Sequence, residues 1–349
     1  MRRAFTVIEL LIALAIGTFV VAALYSLFSV QLRQFVYQDI QMEMHQSIRL
    51  GMDLLTRTGR AAGMGTNGLV YGALGTSGAA NNTLPAIISY DGTGPGGADA
   101  ITIISMDPSL VMYTDPDSLQ ACTATTVGFD PDRTGYAAKL ADFAADEYLL
   151  CYDYGSPAGT RSLLWDITAV DAGTGAFTVV DGAGTYTDFA DVCDPADNLP
   201  VGMECSRADV VTFYIDADGD DGIGAGSSKH PVLMMDLDFE SPDEDDIPVV
   251  DNVEDMQIEY CFRGETCSAA DWTDTVDTYA DADDSNDPDD LYMIRFTIVV
   301  RSSREDLNDA FSGAPLEVAN NAPTATADHY YRQVLSAEVT VRNMRGLNW

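Results

Sequence analysis

The stretch FTVIELLIAL, residues 5–14, opens an almost uninterrupted apolar run that continues to Val30. Glu9 carries the only charged side chain between Phe5 and Val30. The run is long enough to span a bilayer as a helix, for which about 20 apolar residues suffice. A carboxylate inside such a helix is energetically costly, so it requires a partner and marks a functional position.

This stretch closely resembles the leader junction of class III prepilins, the precursors of type IV pilins and type II secretion pseudopilins. In that family a membrane peptidase removes a short basic leader and methylates the new N-terminal residue. The resemblance implies a leader of residues 1–4, a methylated Phe5 at the mature N-terminus, and a role for Glu9 in setting the register of subunits in a filament. Ala4 stands where the family usually has glycine, and because alanine is also small we expect cleavage to be retained.

Two plainer interpretations are a secretory signal peptide and a simple membrane anchor. The apolar run is too long for a signal peptide, and no small-residue cleavage site follows it before Arg33. A simple anchor has a suitable length. The position of Glu9 favours the pilin interpretation over both.

An amphipathic segment follows the apolar run. Its apolar residues recur mostly every three or four positions, which predicts one buried helical face; they are Phe35, Val36, Ile40, Met44, Ile48, Met52 and Leu55. One continuous helix from Thr6 to Thr58 would be about 80 Å long. Gly59, Gly63 and Gly65 would end it.

We therefore predict four parts: the leader (1–4), a transmembrane or filament-core half of the helix (5–30), an amphipathic half (31–60) and a globular head (61–349). In the head, short β-prone runs alternate with turn residues; the predicted strands are 100–105, 147–152, 177–180, 210–215, 232–239, 256–262, 292–301 and 335–341. The predicted fold is α+β and pilin-like, with the long helix packed on an enlarged antiparallel sheet. A subdomain insertion is predicted around residues 106–205, and glycine-rich residues 64–97 are predicted to form a surface excursion.

Four segments of the head, in order, resemble the C-terminal half of W-type minor pilins and J-type minor pseudopilins; they are 210–216, 251–260, 294–303 and 331–343. The resemblance implies a non-catalytic minor type IV pilin that helps to initiate assembly or sits at the pilus tip. Its partners would be other pilins, through the N-terminal helix, and the prepilin peptidase. The precursor would cross the inner membrane once with its head in the periplasm, and the mature subunit would reach a surface filament.

Two alternatives remain open from the sequence. One is a J-type minor pseudopilin of a type II secretion system. The other is a membrane-anchored, calcium-binding adhesin whose N-terminal segment serves only as an anchor.

The composition is strongly acidic, with 18 Lys and Arg against 55 Asp and Glu and a formal net charge of −37. Such a surface repels phosphate, so we expect no nucleic acid to bind the head. Enzymatic motifs are absent from the sequence, and its three histidines, His45, His230 and His329, are scattered. The sequence therefore predicts no catalytic residues.

One acidic cluster has the spacing of a cation-binding loop. Asp216, Asp218 and Asp220 alternate directly after a predicted strand, and alternating carboxylates can wrap around Ca²⁺. The plainer alternative is a polar hairpin turn. The acidic segments Glu240–Asp246 and Asp281–Asp290 have a less diagnostic spacing, and no cofactor other than Ca²⁺ is expected.

The head holds six cysteines, and an even number in an exported domain predicts disulfides. Pairing of near neighbours would join Cys122 to Cys151, Cys193 to Cys205, and Cys261 to Cys267. A zinc site is disfavoured because the sequence has no paired C-x-x-C motifs.

Overall fold

The computed structural model describes residues 7–66, 68–71, 83–114, 126–145, 147–153, 161–171, 173–180, 204–217, 230–237, 246–268, 271–277, 286–306, 313, 316–321 and 328–343. Helix α1 spans Val7–Ala61, and its 55 residues correspond to a length of about 80 Å. A short helix, α2, spans Tyr136–Leu140. Single turns of 3-10 helix lie at Pro95–Gly97 and Pro288–Asp290.

The rest of the described chain is built mainly from β-strands. In chain order these are β1 Leu69–Tyr71, β2 Thr83–Pro85, β3 Ile87–Tyr90, β4 Ala100–Met106, β5 Met112–Tyr113, β6 Thr126–Gly128, β7 Glu147–Asp153, β8 Arg161–Asp171, β9 Ala176–Val180, β10 Glu204–Asp216, β11 Val232–Asp236, β12 Ile247–Asp251, β13 Val253–Phe262, β14 Leu291–Arg301 and β15 Arg332–Thr340. All eight predicted strand segments overlap observed strands.

Among the described residues, twelve strands form one large sheet with the path β12-β11-β10-β7-β8-β1-β2. The longest strand, β10, organises this sheet because it pairs antiparallel with β4, β5, β7 and β11. Strands β1 and β8 form a parallel pair. Ala86 and Ile87 are fully buried, so the prediction of a surface excursion is wrong for this part of residues 64–97.

A second sheet, of strands β13-β14-β15, carries the helix. The predicted apolar stripe packs on it, and the buried helical positions are Ile40, Met44, Ile48, Gly51, Met52, Leu55 and Gly59. Phe35 and Val36 remain 73% and 51% exposed, because the head covers the helix only from Ile40 onward. The helix continues through Gly59 and ends at Ala61, close to the predicted end, and Gly63 and Gly65 follow it with positive φ.

The described residues of the head form two hydrophobic clusters. The larger one joins the head half of α1 to both sheets. The smaller one is built only from residues between Leu110 and Cys205, and the Phe177 ring lies at its centre, 4.8 Å from the Phe129 ring and 5.0 Å from the Phe143 ring. This second cluster falls in the range for which an inserted subdomain is predicted.

One of the two disulfides among the described residues follows the strand pairing and not the order of cysteines along the chain. Cys151 in β7 lies opposite Cys205 in β10, and the two are bonded. The predicted pairing of Cys151 with Cys122 and of Cys205 with Cys193 is therefore wrong, since strand pairing brings the bonded partners together. The predicted bond between Cys261 and Cys267 is present.

Candidate assembly surface

The N-terminal half of α1 extends beyond the head and exposes its whole circumference. From Val7 to Asp39 every residue except Ser29 is exposed. The large apolar side chains on this surface are Val7, Ile8, Leu10, Leu11, Ile12, Leu14, Ile16, Phe19, Val20, Val21, Leu24, Tyr25, Leu27, Phe28, Val30, Leu32, Phe35 and Val36. Soluble monomers rarely expose more than roughly a few hundred Å² of contiguous apolar surface. This half of the helix therefore requires an apolar environment, either lipid or other helices.

Glu9 lies in the first turn of α1 and is the acidic residue of that turn. The N-terminus of a helix carries a partial positive charge, which favours a carboxylate at this position. Ala4 and Phe5 lie outside the described residues. The processing site at Ala4 and Phe5 and the registry role of Glu9 stay predictions.

The serine and threonine hydroxyls described in the apolar half bond to the helix itself. Thr18 Oγ1 donates to the Ala15 carbonyl at 2.8 Å, and Ser26 Oγ donates to the Ala23 carbonyl at 2.9 Å. Ser29 Oγ donates to the Ser26 carbonyl at 2.8 Å. These bonds satisfy the hydroxyls without water, as an apolar surrounding demands. Within the described part of the chain, α1 is the one helix long and apolar enough to cross a membrane.

Polar and aromatic contacts hold the helix where it enters the head. The ring of Tyr37 meets the ring of Tyr331 edge-on, with centroids 5.2 Å apart. Tyr331 donates its hydroxyl to Asp306, and Ser303 Oγ donates to Glu43 Oε2 at 3.0 Å. Burial and the neighbouring Asp306 raise the pKa of Tyr331 to about 12. These contacts connect the exposed helix half to the segment that joins β14 and β15.

Three of the four segments singled out in the sequence form the sheet that carries the helix, and the fourth, 210–216, lies at the end of β10 in the larger sheet. Residues 251–260 enter β13, residues 294–303 contribute most of β14, and residues 331–343 contain β15. Glu259, Arg295 and Glu338 lie in register across these three strands. Arg295 bonds Glu259 at 3.2 Å and Glu338 at 2.9 Å, and its guanidinium stacks 3.9 Å above the Trp272 ring. Side chains alternate between the two faces of a strand. Glu259, Arg295 and Glu338 therefore lie on the face of the sheet opposite the apolar residues of β14 that pack on the helix.

Arg332, at the start of β15, has a deeply buried side chain. Its side chain is 3% exposed and forms forked hydrogen bonds with Glu254 and Asp328. The hydrogen bond from Arg332 holds the pKa of Asp328 below its usual range. Paired forks of this kind are strong and geometrically specific. The network ties β13 to the chain segment that leads into β15.

The predicted calcium loop can be placed only in part. Asp216 ends β10, is 4% exposed, and lies in register with Val232 at the start of β11. Asp218 and Asp220 lie outside the described residues, as do residues 240–245 and 281–285 of the two other acidic segments. In the part of the chain that the structure describes, no group of three His, Cys, Asp or Glu side chains could hold a metal ion directly. Calcium binding by this loop stays a prediction.

Two further predicted residues, Cys122 and Cys193, also lie outside the described residues. Sequence reasoning did not single out Arg332 as a structural centre, nor the contact of Tyr37 with Tyr331. The only sequence signal for Arg332 was its place in the segment 331–343.

Comparison with known families matches two parts of the chain. Residues 1–25 match the prokaryotic N-terminal methylation motif, and residues 212–343 match the type IV pilus-assembly protein W family. The second match covers β11 to β15 and the last part of β10. Both matches confirm the resemblances read from the sequence, namely the prepilin-type N-terminus and the W-type C-terminal region. The matched families are structural proteins, which supports the prediction of a non-catalytic chain.

No curated protein sequence matches the chain significantly. Among solved structures, the chain is similar to a type IV-like pilin from Thermus thermophilus, with 12% sequence identity and a TM-score of 0.25. That match covers 61% of this chain and 92% of the solved chain.

Proposed function

We propose that this chain is a minor type IV pilin that initiates assembly of a pilus or occupies its tip. The proposal starts from the combination of a prepilin-type N-terminus with a W-type pilus-assembly region on one polypeptide. The observation that carries it is the exposed apolar half of α1, because a surface of this size requires lipid before assembly and neighbouring helices afterwards.

In the membrane, Arg2 and Arg3 favour a cytoplasmic N-terminus and a periplasmic head. Cleavage before Phe5 would create an α-amino group four residues from Glu9. In a filament, the Glu9 carboxylate would pair with the amino group of a neighbouring subunit, because an unpaired charge in an apolar bundle is strongly unfavourable. The apolar helices would then pack side by side to form the filament core.

A place at the end of the filament suits the head. The chain has a formal net charge of −37, so copies stacked along a filament would repel one another. A single copy at the tip or at the start of assembly avoids this repulsion. The net charge of the chain therefore supports a subunit of low abundance at the end of the filament.

The test compares Glu9→Ala with Asp39→Ala, which removes an exposed carboxylate from the same helix outside the apolar run. We expect both variants to enter the membrane, and only Glu9→Ala to be lost from sheared surface fibres. Deletion of the whole protein should reduce the number of fibres per cell. If the deletion strain makes normal fibres but secretes less of its exported proteins, the pseudopilin alternative is favoured. Equal recovery of Glu9→Ala and Asp39→Ala in fibres would contradict the role of Glu9.

A further inference from the structure

The C-terminal end of α1 carries a group of arginines on its exposed side. Arg49, Arg57 and Arg60 are exposed, and at 3.6 residues per turn they fall within an arc of about 80° around the helix. The buried positions of the same stretch lie on the other side, against the sheet. The three guanidinium groups therefore point away from the part of the head that α1 packs on.

A fourth arginine reaches the same corner from the C-terminal strand. The segment after β15 lies against the last turn of α1, where Asn343 Nδ2 donates a hydrogen bond to the Arg60 carbonyl at 3.3 Å. Arg342, the neighbour of Asn343, is exposed. Together, Arg49, Arg57, Arg60 and Arg342 form what we call the arginine patch.

The arginine patch has no ion pair of its own. None of its guanidinium groups is paired with a carboxylate within the described part of the chain. Other arginines of the head do pair with carboxylates; they are Arg133, Arg207, Arg263, Arg295 and Arg332. The chain has 55 Asp and Glu against 18 Lys and Arg, so carboxylates outnumber the cations that could bind them. The patch is therefore left unpaired in spite of an excess of acidic side chains.

The helix itself does not neutralise these charges. Asp53 is the only carboxylate of α1 from Arg49 onward. It lies four positions from both Arg49 and Arg57, yet forms no ion pair among the described residues. Arg57 and Arg60 are three positions apart, a spacing at which like charges on a helix repel each other.

The ordinary role of cations at a helix end explains only part of the patch. A cation in the last turn offsets the partial negative charge of the helix C-terminus, and Arg60 lies in that turn. Arg49 lies about three turns earlier, beyond the reach of this effect. Arg342 does not belong to the helix at all. The dipole of α1 thus gives no reason for four arginines at one corner.

We propose that the arginine patch binds carboxylates of a different pilin subunit that lies beside this one in the filament, an inference that rests on the proposed function. Arginine is enriched in protein interfaces, and its planar fork matches a carboxylate. The patch also continues the exposed surface of the apolar half of α1, so a subunit packed along that half extends toward the patch. A second copy of this chain is disfavoured as the partner, because each copy carries a net charge of −37.

The position of the patch along α1 argues for protein carboxylates over lipid phosphates. Arg49 lies 19 residues beyond Val30, where the apolar run ends, and Arg60 lies 30 residues beyond it. At 1.5 Å per residue these positions are about 28 and 45 Å further along the helix. The headgroup region adds only about 5–8 Å to each side of the hydrocarbon core. The patch therefore stands at the level of neighbouring heads.

The test places the photo-cross-linking residue p-benzoylphenylalanine at position 53 of the full-length protein, in cells that assemble fibres. Mass spectrometry of irradiated, sheared fibres should find it linked to a different pilin, in a peptide that contains Asp or Glu. Combining Arg57→Glu with Arg60→Glu should lower the yield of this cross-link about tenfold, because attraction becomes repulsion. The matched control is Arg304→Glu, at an exposed arginine that has no ion pair among the described residues and lies off the helix. It should leave the yield unchanged.

A charge exchange separates recognition from loss of folding. Replacing the cross-linked carboxylate of the partner with lysine should restore the yield in the protein that carries Arg57→Glu and Arg60→Glu. If those two changes lower the melting temperature of the purified protein, Arg57→Gln with Arg60→Gln replaces them and should still reduce the yield, while Arg304→Gln should not.

The outcomes distinguish this inference from the proposed function. The inference alone is overturned if the protein is recovered in fibres but position 53 links to no other pilin, or links to lipid or to a second copy of this chain. Equal yields in the patch variant and the Arg304→Glu control would overturn it as well. Absence of the wild-type protein from fibres would instead contradict the proposed function, and with it this inference.

Discussion

Gly59 of α1 lies directly against the ring of Phe296 in β14. A methyl group added at Gly59 would stand 2.9 Å from Phe296 Cε2 and 3.2 Å from Phe296 Cζ. Phe296 is fully buried, so its ring has little space in which to move. The glycine therefore sets how closely the C-terminal end of α1 approaches the sheet. This contact holds that end of the helix on the head.

Replacing Gly59 with leucine should destabilise the head by about 1–3 kcal/mol or more, because overpacking a filled core forces neighbouring side chains from their rotamers. The control is Asp53→Leu at an exposed position of the same helix, where the free energy of unfolding should change by less than about 0.5 kcal/mol. Urea unfolding of the two variants and the wild type measures both effects. Equal stability of the two variants would show that the helix can lift from Phe296 without cost.

Removing Arg332 should destabilise the sheet more than removing an exposed arginine. Arg332→Leu leaves Glu254 and Asp328 without their shared cation, and we expect a loss of about 2–3 kcal/mol, because solvent reaches both carboxylates in part. Arg263 is the matched control, since it pairs with Asp290 at 3.4 Å and its side chain is 43% exposed. Arg263→Leu should cost less than about 1 kcal/mol. Similar losses in the two variants would contradict a structural role for the buried network.

Asp99 should make the head more stable as the pH falls from 7 to 5. Its folded pKa is raised from 3.8 to about 6, so its contribution to stability is fully present below 3.8 and is lost as the pH rises through 6. In EDTA, the free energy of unfolding of the wild type minus that of Asp99→Asn should increase by roughly 1 kcal/mol between pH 7 and pH 5. The subtraction removes carboxyls common to both proteins. A difference that stays constant or decreases would contradict the raised pKa.

The disulfide between Cys151 and Cys205 should appear as a linked peptide pair in a non-reduced digest analysed by mass spectrometry. Its loss in Cys151→Ser should destabilise the head by about 2–5 kcal/mol. Cys261→Ser serves for comparison. The Cys261–Cys267 bond joins residues only 6 apart in sequence, against 54 for Cys151–Cys205. Because a shorter loop is stabilised less by its bond, Cys261→Ser should destabilise the head less than Cys151→Ser does. A peptide that links Cys122 to Cys151 would show that the strand pairing of β7 and β10 is wrong.

The local parts of this fold are readable from the sequence. The spacing of Ile40, Met44 and Ile48 predicts a buried helical face. A helix makes one turn every 3.6 residues, so apolar residues four apart lie on the same side of it. Phe35 belongs to the same periodic pattern but remains exposed, since periodicity does not record where the head ends. The glycines mark the end of the helix to within a few residues, because α1 ends at Ala61 and Gly63 follows with positive φ.

Contacts between segments far apart along the chain could not be predicted from local sequence patterns. Strand β8, Arg161–Asp171, mixes apolar and polar residues, and its pairing with β7 and β9 depends on the order of strands in the sheet. The partner of Cys151 follows from that same order. The candidate assembly surface was predictable because a single continuous helix forms it.

The most direct test of the filament-subunit account is the intact mass and N-terminal sequence of the protein recovered from sheared surface fibres. The account predicts a chain that begins at a methylated Phe5, which would establish that the leader is removed after Ala4 and that the mature protein enters a fibre. A chain that keeps residues 1–4, or one cut after the apolar run and absent from fibres, would contradict it and favour the anchored binding protein.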